Sequence, residues 1–352
     1  MKSGIDQTAA ATTLVSEQQL KEELPLPGPL TRQIDHQRKT LGQLLAGEDS
    51  RLLVIVGPCS VHDRESILDY ARRLRELQAR VENQLLLVMR VYIEKPRTCL
   101  GWKGMVNDPQ RNGQTDINTG LQASRRLMLD IAELGLPIAT EALNPQLVGY
   151  FDDLVSWYAL GARTTESQTH REMASRLPGV LGFKNATDGG VEVAINAIKA
   201  AAQPQSITAI NAQGRLVQEH SPGNAQGHLV MRGGKAGPNY DRASLLQASQ
   251  QLAQAGLNPR VLVDASHANC GKVAERQVEV LQDLGQQLHQ GSPLLGVMLE
   301  SFIAGGNQPL QSQEGRYGQS MTDPCLDWAA SSQALLSLAK EVKLATAITE
   351  SA

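Results

Sequence analysis

Aromatic side chains are scarce in this chain, at 3% of 352 residues. That scarcity argues against a base-stacking nucleic-acid platform. A net charge of -3 argues against a general polyanion binder, although local cationic clusters stay open. No apolar run approaches the roughly 18 residues that a membrane span needs, and only Lys2 precedes a polar, threonine-rich stretch containing Asp6. The expectation is a cytoplasmic protein with neither nucleic-acid nor membrane partners. Cysteine is sparse too. Cys59, Cys99, Cys270 and Cys325 show no CxxC pair and no small-scaffold spacing, which argues against a structural zinc knuckle or a disulfide framework. What is present, 41% hydrophobic and 20% charged residues, is ordinary globular material able to bury a large core.

Short apolar runs recur between helix-like segments: 51–59, 85–92, 137–143, 159–163, 180–185, 228–234, 260–267 and 294–301. Most are nearly continuous in hydrophobicity, as parallel strands covered on both faces are. The intervening stretches, such as 64–80, 120–134, 188–202, 242–255 and 273–289, carry helical spacing and polar faces. Eight strands alternating with helices over about 250 residues predict an α/β fold of the (β/α)8 TIM-barrel type. A doubly wound open sheet is the nearest rival. It would carry a glycine-rich dinucleotide turn after the first strand, and "GPCSVHD" is not one.

The ends of those runs carry the chemistry. They are Cys59, Arg90, Glu141, Arg163, Lys184, Arg232, Asp264 with His267, and Glu300. In a barrel all strands point one way, so these residues converge on one mouth. Five cations on that rim, Arg90, Lys95, Arg163, Lys184 and Arg232, exceed what Glu141 and Asp264 can neutralise. Such a rim expects anions, phosphate and carboxylate, because arginine forks fit oxyanions. The remaining groups differ in kind. A free cysteine is often just a small core residue. Here Cys59, His267 and Glu300 lie on the first, seventh and eighth strands, neighbours in a closed barrel, and Asp323 follows shortly after. A thiolate, an imidazole and two carboxylates form a mixed set suited to one divalent transition metal.

In order and spacing, "VGPCSVHD", "MRVYIEKPRT", "GWKGMVNDP", "GARTTESQTHRE", "GFKNATDG", "DASHANCGK" and "SMTDPC" resemble the microbial class I 3-deoxy-D-arabino-heptulosonate 7-phosphate synthases, from about residue 35 to about residue 330. The pieces "TESQTHREMAS" and "AAAQP" are most similar to the tyrosine-sensitive branch. The resemblance implies a metal-dependent, aldol-type condensation of phosphoenolpyruvate with D-erythrose 4-phosphate, opening the shikimate pathway to aromatic amino acids. It implies a homodimer or homotetramer and one divalent ion, Mn, Fe, Co or Zn. Position by position, Cys59, His267, Glu300 and Asp323 would be its ligands. Arg90, Lys95, Arg163, Lys184 and Arg232 would hold phosphoenolpyruvate, with Glu141 and the Gly161-Ala162 backbone beside them. Lys95 would lie between both substrates, with Cys59 and His267 as its partners in catalysis. Arg97 and Thr98 would grip erythrose 4-phosphate. Cys99 departs from the family's usual threonine or other β-branched residue.

Other readings remain at this point. A Schiff-base aldolase would use a barrel lysine such as Lys184 and no metal. A metal-independent relative condenses arabinose 5-phosphate instead, but that group typically lacks a cysteine at the place of Cys59 and lacks "KPRT". A non-catalytic sugar-phosphate sensor is the third.

Two segments fall outside the barrel. Residues 1–48 form an N-terminal extension whose Leu30, Ile34, Leu41, Leu44 and Leu45 approximate one apolar helix face, fit to plug the barrel floor or to dock on another subunit. The catalytic barrel is expected over 49–340 and a tail over 341–352. Within the barrel, 204–226 is an insertion in which "SITAI" and "RLVQEH" flank a turn, predicting a β-hairpin at the face opposite the site. The resemblance implies that an aromatic amino acid binds beside this hairpin and inhibits. The contacts at issue are Val148, Gly149, Ile207 and Ala209. All depart from the usual pattern: Val148-Gly149 replaces a Pro-Gln pair, Ile207 a phenylalanine, and Ala209 a serine or glycine. The small Ala209 favours tyrosine as effector, with tryptophan next and insensitivity to aromatic amino acids as the third outcome.

Overall fold

The computed structural model describes residues 11–97, 101–310 and 315–351. Eight parallel strands close into a barrel in the spatial order β1 (Leu52–Gly57), β10 (Leu294–Glu300), β9 (Val261–Asp264), β8 (Gly227–Met231), β5 (Val180–Lys184), β4 (Trp157–Leu160), β3 (Ile138–Glu141) and β2 (Leu85–Arg90). This is the predicted TIM barrel. Helices α3 (Arg64–Val81), α4 (Ile117–Glu133), α5 (Gln168–Arg176), α6 (Glu192–Ala201), α7 (Arg242–Gln254), α8 (Arg276–Leu288) and α9 (Trp328–Ser351) follow individual strands. After β3 there is only a 3-10 turn, Val148–Tyr150.

Local signals set these elements. Helix α3 starts where the Asp63 side chain accepts from the Ser66 amide, and its buried Ile67, Ala71, Leu74, Gln78 and Val81 recur at three to four residues on one face. Asp116 and Asp241 cap α4 and α7 in the same way. The fourth strand differs from the run read as 159–163: it is Trp157–Leu160, two residues earlier. Gly161 leaves the sheet because its carbonyl accepts from the Thr164 and Thr165 amides, closing a turn that carries Arg163.

Inside the barrel, Leu53, Ile55, Val88, Trp157, Ala159, Val230, Leu262 and Met298 form one cluster with Leu41 and Leu44 of α2 (Gly28–Ala46). Gly182 makes room for the indole, since a Cβ there would lie 2.1 Å from Trp157 Cζ2. Of the two roles open to the N-terminal helix, the floor plug is thus seen directly. Its last carbonyls are satisfied from the barrel: Arg260 Nη2 and Asn258 Nδ2 each donate to Leu45 O at 2.7 Å.

The hairpin forms as predicted, with β6 (Gln205–Ile210) antiparallel to β7 (Leu216–Ser221). Asn211 Oδ1 accepts the Gln213 and Arg215 amides and shapes the turn. Connecting α6 to the start of β8, the hairpin lies at the amino-terminal end of the barrel. The boundary expected between 340 and 341 falls inside α9, because buried Leu335, Leu338 and Val342 continue one apolar face past it. Among the described residues no helix is long and apolar enough to cross a membrane.

One buried ring links this core to pH. Trp157 Nε1 donates to His228 Nε2 at 2.9 Å, and burial pushes the His228 pKa from 6.5 down to about 4. The unfolded chain therefore binds the extra proton first as pH falls, and stability declines between those two values. Going from about pH 7.5 to about pH 5 is expected to cost about 2 kcal/mol through His228. Urea unfolding of wild type and His228→Gln at both pH values checks this, and the same pH dependence in both would contradict it.

Candidate active site

Strand direction delivers the functional side chains. Arg90, Lys184, Asp264 and Glu300 are the last residues of β2, β5, β9 and β10, and Glu141 ends β3. Arg90, Glu141, Lys184 and Glu300 line a cavity of about 410 Å³ at the carboxyl ends of the strands, while Asp264, fully buried, reaches it through its ion pair with Lys184. Lys95, Arg97, Gly161, Ala162, Arg163, Arg232, His267 and Asp323 line the same cavity. Thr98, and with it the Cys99 departure, lies outside the described residues.

One side of the cavity gathers metal-ligating groups. The ligand atoms of Cys59, Glu300 and Asp323 all lie within 4.8 Å of one another, with Cys59 Sγ 3.6 Å from Asp323 Oδ2. A thiol and two carboxylates fit one divalent cation. Cys59 is fully buried behind the cavity, and its amide donates to Cys325 Sγ at 3.4 Å. Burial, with the Glu300 charge, pushes its thiol pKa up against the pull of Lys95, whose Nζ is 3.0 Å from Sγ. A bound cation would displace that thiol proton. His267 lines the cavity but stands outside the trio. Its Nδ1 is 3.1 Å from Asp264 Oδ2 and 2.6 Å from Ser266 Oγ, on a backbone with φ of 58°.

The other side holds the cations, and their partners decide what they can bind. Arg90 is buried; its Nη2 is 3.0 Å from Glu300 Oε1, and its guanidinium carbon stands 3.9 Å over the Tyr92 ring. Lys184 Nζ is 2.8 Å from Asp264 Oδ2. Burial alone would raise the Asp264 carboxyl, yet Lys184 and His267 hold it well below the carboxylate range. Arg163 and Arg232 form no ion pair among the described residues. Burial lowers the Arg232 pKa; Asp264 opposes this and the Arg163 charge adds to it. Two such arginines side by side make a site for a dianion. Glu141 neutralises neither. Its Oε1 would lie 2.5 Å from a Cβ at position 161, so glycine is required there for this close approach. Arg97 is held by its Nε donating to Trp102 O at 2.7 Å.

Some participants escaped the sequence reading. Gln277 on α8 accepts from the Glu300 amide at 2.8 Å and donates to the Glu300 carbonyl at 3.2 Å, fixing that carboxylate's base. Nothing local marks it, because the contact joins a helix to a strand end. Ser266 and Asn269 lay within the quoted "DASHANCGK" but carried no role. The residues at issue for an effector are divided between two segments that both meet α1 (Glu17–Glu23). Val148 and Gly149 sit on the 3-10 turn, where a Cβ at Gly149 would lie 2.3 Å from Glu17 Oε2. Ile207 and Ala209, both buried, belong to the hairpin, whose Ala212 carbonyl accepts from the Gln18 amide at 2.9 Å.

Comparison with known proteins gives a consistent result. Residues 17–336 match the model of the DAHP synthetase I family. The tyrosine-sensitive phospho-2-dehydro-3-deoxyheptonate aldolase of Escherichia coli K12 is 49% identical over 318 residues, covering 90% of this chain and 89% of that protein. A tryptophan-sensitive counterpart from Enterobacter agglomerans is 44% identical over 337 residues, 95% of this chain and 97% of that one. A solved structure of phospho-2-dehydro-3-deoxyheptonate aldolase from Francisella tularensis SCHU S4 superimposes with a TM-score of 0.94 at 38% identity, covering 96% of this chain and 99% of that one.

Proposed function

Because the chain belongs to the DAHP synthetase I family, we propose a division of labour among its side chains for the reaction it catalyses. That reaction condenses phosphoenolpyruvate, D-erythrose 4-phosphate and water to 3-deoxy-D-arabino-heptulosonate 7-phosphate and inorganic phosphate, the first step of the shikimate pathway. The observation that carries the proposal is the two-sided cavity: Arg163 and Arg232, without an ion pair among the described residues, line one part of it, and Glu300 and Asp323 line another, their ligand atoms gathered with that of Cys59 buried behind them.

Arg163, Arg232 and Lys184 hold the phosphate of phosphoenolpyruvate, and Arg90 its carboxylate, with the Gly161-Ala162 backbone and Glu141 beside them. Held so, the nucleophilic C3 faces the aldehyde in an oriented encounter instead of a chance one. Arg97 and Thr98 hold the phosphate of erythrose 4-phosphate. Cys59, His267, Glu300 and Asp323 bind one divalent ion, Mn, Fe, Co or Zn, with cellular availability deciding which. Bound there, the ion supplies Lewis-acid polarisation of the aldehyde oxygen. Lys95, beside Cys59, donates a proton to the oxygen that gains charge as C3 bonds to the aldehyde carbon. Water attacks at C2 and phosphate leaves with C–O cleavage. The Schiff-base alternative needs Lys184 as a free amine, whereas its Nζ is held by the buried Asp264 carboxylate.

Regulation is read from the insertion. An aromatic amino acid, tyrosine first, binds where the hairpin and the Val148–Tyr150 turn approach α1 and lowers activity in a homodimer or homotetramer in the cytoplasm. Such an effect is a coupling energy of about 1–3 kcal/mol.

Three outcomes test these assignments. Chelator-treated enzyme should be inactive and recover with Mn, Fe, Co or Zn salts, and Cys59→Ala should not recover; full activity without metal would sink the ligand set. Arg163→Ala or Arg232→Ala should weaken phosphoenolpyruvate binding by about 2–5 kcal/mol, while Arg97→Ala should raise mainly the KM for erythrose 4-phosphate. Identical substrate profiles would show the pocket is divided wrongly. At saturating metal, tyrosine should inhibit, and deletion of 205–224 should remove inhibition before catalysis. An unchanged rate with tyrosine, tryptophan and phenylalanine would leave the hairpin a packing role only.

A further inference from the structure

One carboxylate at the end of β9 joins the two sides of the cavity. Asp264 Oδ2 accepts from Lys184 Nζ at 2.8 Å and faces His267 Nδ1 at 3.1 Å. Its Oδ1 accepts the Ser266 amide at 3.0 Å and the Ser266 hydroxyl at 2.6 Å. The same hydroxyl oxygen is 2.6 Å from His267 Nδ1. An ionised carboxylate only accepts, so the single hydroxyl proton of Ser266 is committed to it, and the serine oxygen must accept from the ring. In a neutral imidazole the proton therefore sits on Nδ1, leaving the Nε2 lone pair available to a cation. Asn269 Nδ2, donating to Asp264 O at 2.8 Å, fixes the backbone beneath.

Building on the ligand and phosphoenolpyruvate assignments above, we propose that Asp264 is a positioning residue through which cation binding and phosphoenolpyruvate binding favour one another. Lys184 and His267 share one oxygen of one charge. When an anionic phosphate engages Lys184, the lysine draws less on Oδ2, and that oxygen polarises the His267 N–H more strongly. The ring becomes a better donor to the cation. In the other direction, a cation at Nε2 draws density from the ring and strengthens its hold on Asp264, which frees Lys184 for phosphate. Reciprocity is required of any such coupling.

Isothermal titration calorimetry with Mn(II) and phosphoenolpyruvate, without the second substrate, reads this directly. Wild-type enzyme is expected to bind Mn(II) about five-fold or more tightly with saturating phosphoenolpyruvate than without. Asp264→Asn keeps the size and an acceptor for Ser266 but removes the charge; it should bring that factor to about one and weaken Mn(II) binding about 10- to 100-fold. Ser266→Ala, the milder change, should weaken Mn(II) binding and leave phosphoenolpyruvate binding to the metal-free enzyme unchanged. Absence of coupling in wild type, or wild-type behaviour of either variant, overturns the proposal. His267→Ala separates it from the reading beneath. Undiminished Mn(II) affinity there refutes the ligand set, whereas reduced affinity alongside intact coupling in Asp264→Asn leaves the ligand set standing and removes the link.

Discussion

Backbone hydrogen bonds between β1 and β10 join the first strand of the barrel to its last, in a register that sets Gly57 opposite Glu300. Cys59, two residues past that pair, is carried to the side of a carboxylate that the chain reaches only at its far end. Glu300 in turn faces Arg90 on β2, the other neighbour of β1. Sheet closure thus sets carboxylate and guanidinium within reach of each other, and the first residues after β1 bring the thiol beside them. Asp323 then arrives on the segment after β10, where Leu326 N donates to Glu300 O at 2.9 Å.

Burying these charges is costly, and stability does not explain it. A buried ion pair seldom beats apolar packing of the same volume, and removing one partner leaves a charge that costs about 3–5 kcal/mol. Arg90 with Glu300 and Lys184 with Asp264 are such pairs, all four groups almost inaccessible to water. Both acids have a second neighbour on the functional side: the Cys59–Asp323 cluster for Glu300, the His267 ring for Asp264. The charges hold each other in place while the site awaits ligands. Arg163 and Arg232, by contrast, form no ion pair among the described residues.

Much of this was legible in the sequence because parallel strands buried on both faces read as continuous apolar runs, and their charged last residues mark one rim. Arg90, Lys184, Asp264 and Glu300 were found that way. The fourth strand was displaced because Ala159-Leu160-Gly161-Ala162 is apolar across the strand end, and only the turn hydrogen bonds to Gly161 O separate sheet from loop. Gln277 was invisible because its partner is backbone on another element. The His267 ring, turned onto Asp264 and Ser266, was assigned by type; its orientation depends on a left-handed backbone that no residue pattern announces. The tail expected from 341 belongs to α9 up to Ser351, and it read as separate because after Val342 the side chains over 343–348 are half-buried or exposed and continue no apolar face.

The central claim is that one cavity holds a divalent cation and the phosphate of phosphoenolpyruvate through these named groups. A crystal structure of the enzyme soaked with Mn(II) and phosphoenolpyruvate, with anomalous scattering recorded at a manganese-sensitive wavelength, tests it most directly. The account predicts a single strong anomalous peak enclosed by Cys59 Sγ, His267 Nε2 and the carboxylates of Glu300 and Asp323, with the substrate phosphate between Arg163 and Arg232. A peak elsewhere, or a phosphate that touches neither arginine, would contradict it.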